Sequence, residues 1–161
     1  MDSIQIIHMS ITMIVAVITV IILINQYRFK KYEWRFTLFD KRYAVYKSAI
    51  GFISGIVTWH YYDFLDAAES RQFHLSEYVA FTSATIDTKL LFGDDAHELI
   101  KSVSQKAWDS IRYETRISKE SDKAQKEQLI RERKVIIDEI NATYDTAISI
   151  FEKYLKLDKL A

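Results

Sequence analysis

The sequence predicts an all-α protein: an N-terminal transmembrane helix that continues into a long antiparallel cytoplasmic helical bundle. Three observations carry this expectation. The run from Ile4 to Ile24, 21 residues, contains no Asp, Glu, Lys or Arg. Beyond it, apolar and aromatic residues recur at alternating steps of three and four. The 161 residues include no proline and only three glycines, Gly51, Gly55 and Gly93, so the turn-rich punctuation of a β-sandwich or a nucleotide-binding α/β fold is missing. The absence of cysteine excludes a disulfide framework, a thiolate nucleophile and cysteine-ligated metal sites. With 22 basic against 22 acidic residues the chain lacks the overall positive charge of a nucleic-acid binder, and no nucleic acid is expected as a partner.

The first element is the apolar run. At about 1.5 Å per residue it is roughly 31 Å long, enough to cross a bilayer once. Asp2 precedes it and the bulky segment from Asn25 to Arg35 follows, so it reads as an uncleaved anchor and not as a signal peptide. Arg28, Lys30, Lys31, Arg35, Lys41, Arg42 and Lys47 follow the span against only Glu33 and Asp40, while Met1 to Ser3 carries no basic side chain. Positive flanks stay in the cytoplasm. The expectation is a single pass through the inner, cytoplasmic membrane with the N-terminus outside, residues 1–27 as anchor and residues 28–161 as a cytoplasmic bundle. Tyr27, Phe29, Tyr32 and Trp34 place amphipathic rings at headgroup level on the basic side.

The second element is a seam. Phe29, Tyr32, Phe36, Phe39, Tyr43, Tyr46, Ile50, Ile53, Val57, His60 and Phe64 form a heptad-type stripe. Traced backwards, it meets Gln5, His8, Thr12, Val15, Thr19, Ile22 and Gln26, so most polar residues of the membrane span lie on one line. One helix of about 60 residues, roughly 90 Å, accounts for this pattern. Gly51 and Gly55 weaken it by up to ~1 kcal/mol each relative to alanine, but small residues four apart also admit a close helix. Ser48 to Leu65 is apolar enough to raise a second span, against which stand His60, Asp63 and the unbroken register.

The pattern lapses from Asp66 to His74, and Leu75–Ser76 resembles a helix start. A helix from about Glu77 to Phe92, buried through Val79, Ile86 and Leu90, is expected next. Gly93 suits a left-handed C-terminal position; Asp94 would cap the following helix, with Asp95 and Glu98 at its positive end. Leu99, Ile100, Val103, Ala107 and Ile111 line one face of that helix. A charged turn from Ser118 to Lys126 leads to a last helix reaching Leu157, with Ile137, Ile140, Tyr144, Ala147, Phe151 and Tyr154 at heptad spacing. Three near-equal arms make the bundle.

Chemistry-bearing motifs are sparse. Asp94, His97 and Glu98 can share a helix face, and His60 with Asp63 repeats the three-residue spacing. The carboxylate-bridged metal sites of helical bundles use Glu-x-x-His twice with two further inward Glu, and this chain has reversed, Asp-based pairs beside a turn. Capping and the helix dipole explain Asp94, Asp95 and Glu98, so no metal or cofactor is expected. The sequence has no phosphate-binding loop, nucleophile elbow or H-E-x-x-H, and hence neither an enzymatic activity nor a small-molecule substrate is predicted.

The string Leu38-Phe39-Asp40-Lys41-Arg42-Tyr43-Ala44-Val45-Tyr46, with Thr85, the turn Leu90-Leu91-Phe92-Gly93-Asp94 and the closing Phe151-Glu152-Lys153-Tyr154-Leu155, resembles a widespread set of uncharacterised bacterial single-span, membrane-anchored helical proteins. Their shared features are an LF(D/E)KR-x-x-VY segment and an LFG turn. The resemblance implies a bacterial or phage-encoded anchored helical protein and brings no activity with it. Asp40, Lys41 and Arg42 beside Phe39 and Tyr43 read as the polar edge of a packing corner.

The functional expectation is a membrane-tethered interaction or scaffold module, whose partners are membrane lipid, a cytoplasmic protein or further copies of the chain. The alternative is an oligomeric effector whose stripe of Gln5, His8, Thr12, Thr19 and Gln26 lines a pore.

Overall fold

A computed structural model describes residues 3–56, 58 and 67–156, with side chains described for residues 12–56, 58 and 69–156. All the regular elements among them are helices. These are α1 (Ser3–Ile56), α2 (Ala67–Ala84), α3 (Thr88–Phe92), α4 (Asp94–Lys119), α5 (Lys123–Asn141) and α6 (Tyr144–Leu155). Two compact units divide the chain, Met1–Leu38 and Phe39–Ala161, with the boundary inside α1.

In the first unit α1 exposes its apolar residues. Met13, Ile14, Val15, Val17, Ile18 and Val20 through Ile24 are 48–73% exposed. α1 is the one helix among the described residues long and apolar enough to cross a membrane; its best window has a mean hydropathy of 1.7 and none of that window is buried. Tyr27, Phe29, Tyr32, Trp34 and Phe36 are exposed as well.

The second unit has a core. Its centre is α4, which packs against α2, α3, α5 and α6. Ile100, Val103, Ala107 and Ile111 of α4 are buried, as the sequence pattern predicts; Ala96 joins them, while Leu99, expected on the same face, is half-buried. From α5 and α6 come Ile137, Ile140, Ala147 and Phe151 at the expected spacing, with Leu129 in addition; Tyr144 and Tyr154, expected with them, are half-buried. Asp122 starts α5 by accepting a hydrogen bond from the Gln125 amide at 2.8 Å, which satisfies one of the first-turn donors that lack an intrahelical partner.

Several expectations are corrected. The buried face of α1 in this unit is Val45, Ala49, Phe52, Ile53 and Ile56; Ile53 is a predicted seam residue, and the other four each lie one residue before a predicted seam position. Tyr43 is half exposed as a result, because one residue rotates the helix by about 100°. Val57, His60 and Phe64, the last seam positions, lie outside the described residues. Among the described residues, no neighbour comes within 4 Å of a Cβ placed on Gly51 or Gly55, so none of the described helices packs closely against that pair. The segment before Ser76 is helical, α2 having begun at Ala67; Ser76 lies in mid-helix with its hydroxyl on the Phe73 carbonyl at 2.7 Å. Val79, Ile86 and Leu90, expected in the core, are 52, 77 and 85% exposed. Ser70, His74, Phe81, Thr85 and Thr88 are buried in their place. The expected last helix is two, α5 and α6, separated at Ala142–Thr143.

Candidate functional site

Two places in the second unit gather polar side chains. The first is where the motif segments meet. Arg42, on α1, donates from Nε to the Leu91 carbonyl at 2.9 Å and from Nη1 to the Tyr154 carbonyl at 3.1 Å. Its guanidinium lies 5.7 Å from the Tyr154 ring centroid. Leu91 belongs to the last turn of α3, where carbonyls lack intrahelical partners, and a planar guanidinium can serve two acceptors at once. Aromatic rings pack beneath it: Phe151 lies edge-on to Tyr46 at 6.0 Å and to Phe92 at 4.7 Å, with Phe92 against Tyr154 at 5.7 Å. Edge-to-face pairs of this kind add about 0.5–1.5 kcal/mol beyond their burial.

Gly93 closes the corner. It separates α3 from α4 with φ 80° and ψ −168°, a region open essentially to glycine alone, and a Cβ there would meet the Tyr154 hydroxyl at 3.4 Å. The structure thus brings Arg42, Tyr46, Phe92 and Gly93 together with Phe151 and Tyr154 as one corner joining α1, α3 and α6. Phe39 stacks on Tyr43 at 6.1 Å, while Asp40 and Lys41 are exposed. Leu38 falls in the first unit.

The second place was not legible as a site in the sequence. Glu114 of α4 accepts through Oε1 from Arg133 of α5 and pairs with His74 Nδ1 of α2. Arg133 Nε also donates to the Ser110 hydroxyl at 3.3 Å. The His74 side chain is fully buried, Arg133 is 5% exposed and Glu114 10%. Glu114 Oε2 is buried with no hydrogen-bond partner among the described residues. A carboxylate between an imidazole and a guanidinium can in principle move a proton, but a substrate needs access, and these groups are sealed between helices. The chemistry the arrangement supports is cohesion: one carboxylate ties α2, α4 and α5.

The signal for this network lay in spacing. His74 stands four residues after Ser70 and seven before Phe81, and Arg133 stands four after Leu129 and four before Ile137. Both occupy core positions of a heptad, where a charged residue needs a partner of opposite charge.

Along α1, Thr12, Thr19 and Gln26 are exposed, and Thr19 returns its hydroxyl to the Val15 carbonyl at 2.8 Å. The side chains of Gln5 and His8 lie outside the described residues. In the flank, Arg28, Lys30 and Lys31 are exposed and Arg35 is half-buried, its guanidinium 6.0 Å from the Tyr32 ring centroid. Asp94 pairs with Lys89 at 3.1 Å and Glu98 with Lys101 at 3.6 Å, both in solvent. No group of three or more metal-ligating side chains occurs among the described residues; His60 and Asp63 fall outside them. Comparison with family models, curated proteins and solved structures finds no match.

Proposed function

We propose that this chain is a membrane-tethered helical interaction module: a single-span anchor holds an antiparallel bundle at the cytoplasmic face of the inner membrane, where it docks a cytoplasmic protein or its own copies. The observation that carries the reading is a contrast within one helix. From Met13 to Ile24 the large apolar side chains of α1 are 48% or more exposed, whereas Val45, Ala49, Phe52, Ile53 and Ile56 are buried in a core. A helix apolar all round is buried either in a protein core or in the acyl chains of a bilayer, and no core covers this run among the described residues, which favours the bilayer. The basic residues after it set the orientation.

The docking part of the reading draws on the second unit. Val79, Ile86 and Leu90 present large apolar side chains to solvent beside a well-packed core. Thr19 weighs against the pore alternative, because its hydroxyl is already bonded within its own helix and offers water no free donor.

Alkaline carbonate extraction of the full chain from membranes is the test. The protein should stay in the pellet, and a variant with Val17→Lys and Ile21→Lys should be released. Release of the unaltered chain would refute the anchor.

A further inference from the structure

We infer that α1 carries, just beyond its apolar run, a binding surface for the phosphate-bearing headgroups of anionic phospholipids, formed by Arg28, Lys31 and Arg35. The inference rests on the membrane reading above and goes beyond it, from insertion to recognition of a lipid class. The three residues stand at i, i+3 and i+7 of a continuous helix, which places them within about 60° of one another around its axis. Glu33, the one acidic residue between Ser3 and Phe39, falls roughly on the opposite side. The stripe is therefore cationic without internal neutralisation.

The ion pairs of the molecule sharpen the point. Lys89, Lys101, Lys106, Arg112 and Arg133 each have a carboxylate within 4.0 Å, and Arg42 spends its guanidinium on two carbonyls. Among the described residues, no ion pair includes Arg28, Lys31 or Arg35. Arg35 Nε is buried and has no hydrogen-bond partner among them. Between Arg28 and Arg35 four cations thus stand against one carboxylate, with the Tyr32 ring beside Arg35 and no ion pair among the described residues.

The surroundings select the ligand. By helical rotation Tyr27 and Trp34 flank the stripe on one side and Tyr32 on the other, and all three rings are 54–72% exposed. Such rings settle at headgroup depth, and the stripe begins four residues after Ile24, where the apolar run ends. Phosphates at that depth belong to lipids. A guanidinium binds phosphate oxygens in a bidentate fork, and each basic residue near an anionic surface contributes about 1 kcal/mol, roughly a fivefold factor in binding.

The experiment reconstitutes the full chain into vesicles of mixed phosphatidylcholine and phosphatidylglycerol, extracts it gently, and measures the retained lipids by native mass spectrometry. The retained fraction should be enriched in phosphatidylglycerol over the bulk. The variant Arg28→Gln, Lys31→Gln, Arg35→Gln should lose about threefold or more of that enrichment, whereas Lys119→Gln, Lys123→Gln, Lys126→Gln, of the same charge change, should keep it. Equal retention of both lipids, undiminished enrichment in the first variant, or equal loss in both variants would overturn the site. RNA binding by the chain in phosphatidylcholine vesicles, lost in the first variant, would assign the stripe to nucleic acid and overturn it too. Carbonate extraction of the same vesicles separates the two failures: a chain that is released refutes the anchor and the site together, while one that stays integrated without enrichment refutes the site alone.

Discussion

Replacing Glu114 by Ala probes the least expected feature of the fold. Its Oε1 accepts from Arg133 and pairs with His74, and those two side chains are 5% and 0% exposed. Without the carboxylate, a guanidinium that also donates to the Ser110 hydroxyl at 3.3 Å stays in the interior without its counter-charge. Breaking a buried pair from one side costs about 3–5 kcal/mol, because the charge left behind has lost its counterpart. At roughly 4 °C per kcal/mol for a unit of this size, the melting temperature should fall by about 12–20 °C. Glu114→Gln keeps the shape and a neutral acceptor and should cost less, about 1.5–3 kcal/mol. The decisive variant is the double substitution Glu114→Leu with Arg133→Met. Once both charges are gone, apolar groups of similar volume fill the site, and the double variant should be more stable than the sum of its two single variants by about 2 kcal/mol or more. Thermal and urea unfolding of the full chain in detergent, followed by circular dichroism, supplies the four values. A Glu114→Ala melting temperature within about 4 °C of the parent, or strict additivity in the cycle, would refute the account of a sealed charge network.

Four further outcomes are expected from the same unfolding assay. Phe151→Ala removes a fully buried ring between Tyr46 and Phe92 and should cost ~3–5 kcal/mol; a loss below about 1 kcal/mol would show that the ring is not in the core. Arg42→Met leaves the Leu91 and Tyr154 carbonyls without their donor and should cost about 2–3 kcal/mol, and Arg42→Lys should restore less than half, since an ammonium lacks the planar fork. Gly93→Ala puts a Cβ at φ 80°, against the Tyr154 hydroxyl, and should cost about 1–3 kcal/mol; a neutral or stabilising effect would contradict the backbone conformation. Ile86→Glu with Leu90→Glu should leave stability within about 0.5 kcal/mol per site, because both side chains are already in solvent, while weakening capture of a docked protein.

Sequence pattern was most informative where apolar residues held the core positions. α4 and the stripe Ile137, Ile140, Ala147 and Phe151 were legible because a helix facing a core repeats its large apolar groups every three or four residues. α2 and the turn into α3 were not, because the inward positions are mostly polar: Ser70 and His74 of α2, Thr85 of the turn and Thr88 of α3 stand with Phe81 on the buried side, and Val79 lies outside. Hydropathy ranks side chains by type and is blind to a partner on another helix, so His74 and Arg133 read as surface residues until Glu114 is seen between them. On α1 the aromatic residues misled the register by one position, since Tyr32, Phe36 and Tyr43 lie on the exposed side while Val45 and Ala49 face inward. The corner built on Arg42 was visible as a set of motifs, yet the sequence alone did not show that its three segments converge on two backbone carbonyls.

The central claim, a single-span anchor with the bundle in the cytoplasm, is tested most directly by a pair of reporters at each end of the full chain. A green fluorescent protein fused after Ala161 should fluoresce and an alkaline phosphatase at the same place should be inactive, because the basic flank from Arg28 to Arg35 retains that side in the cytoplasm. Phosphatase fused before Met1 should be active. Full phosphatase activity at the C-terminal position, or soluble fluorescence released from the membrane, would contradict the account.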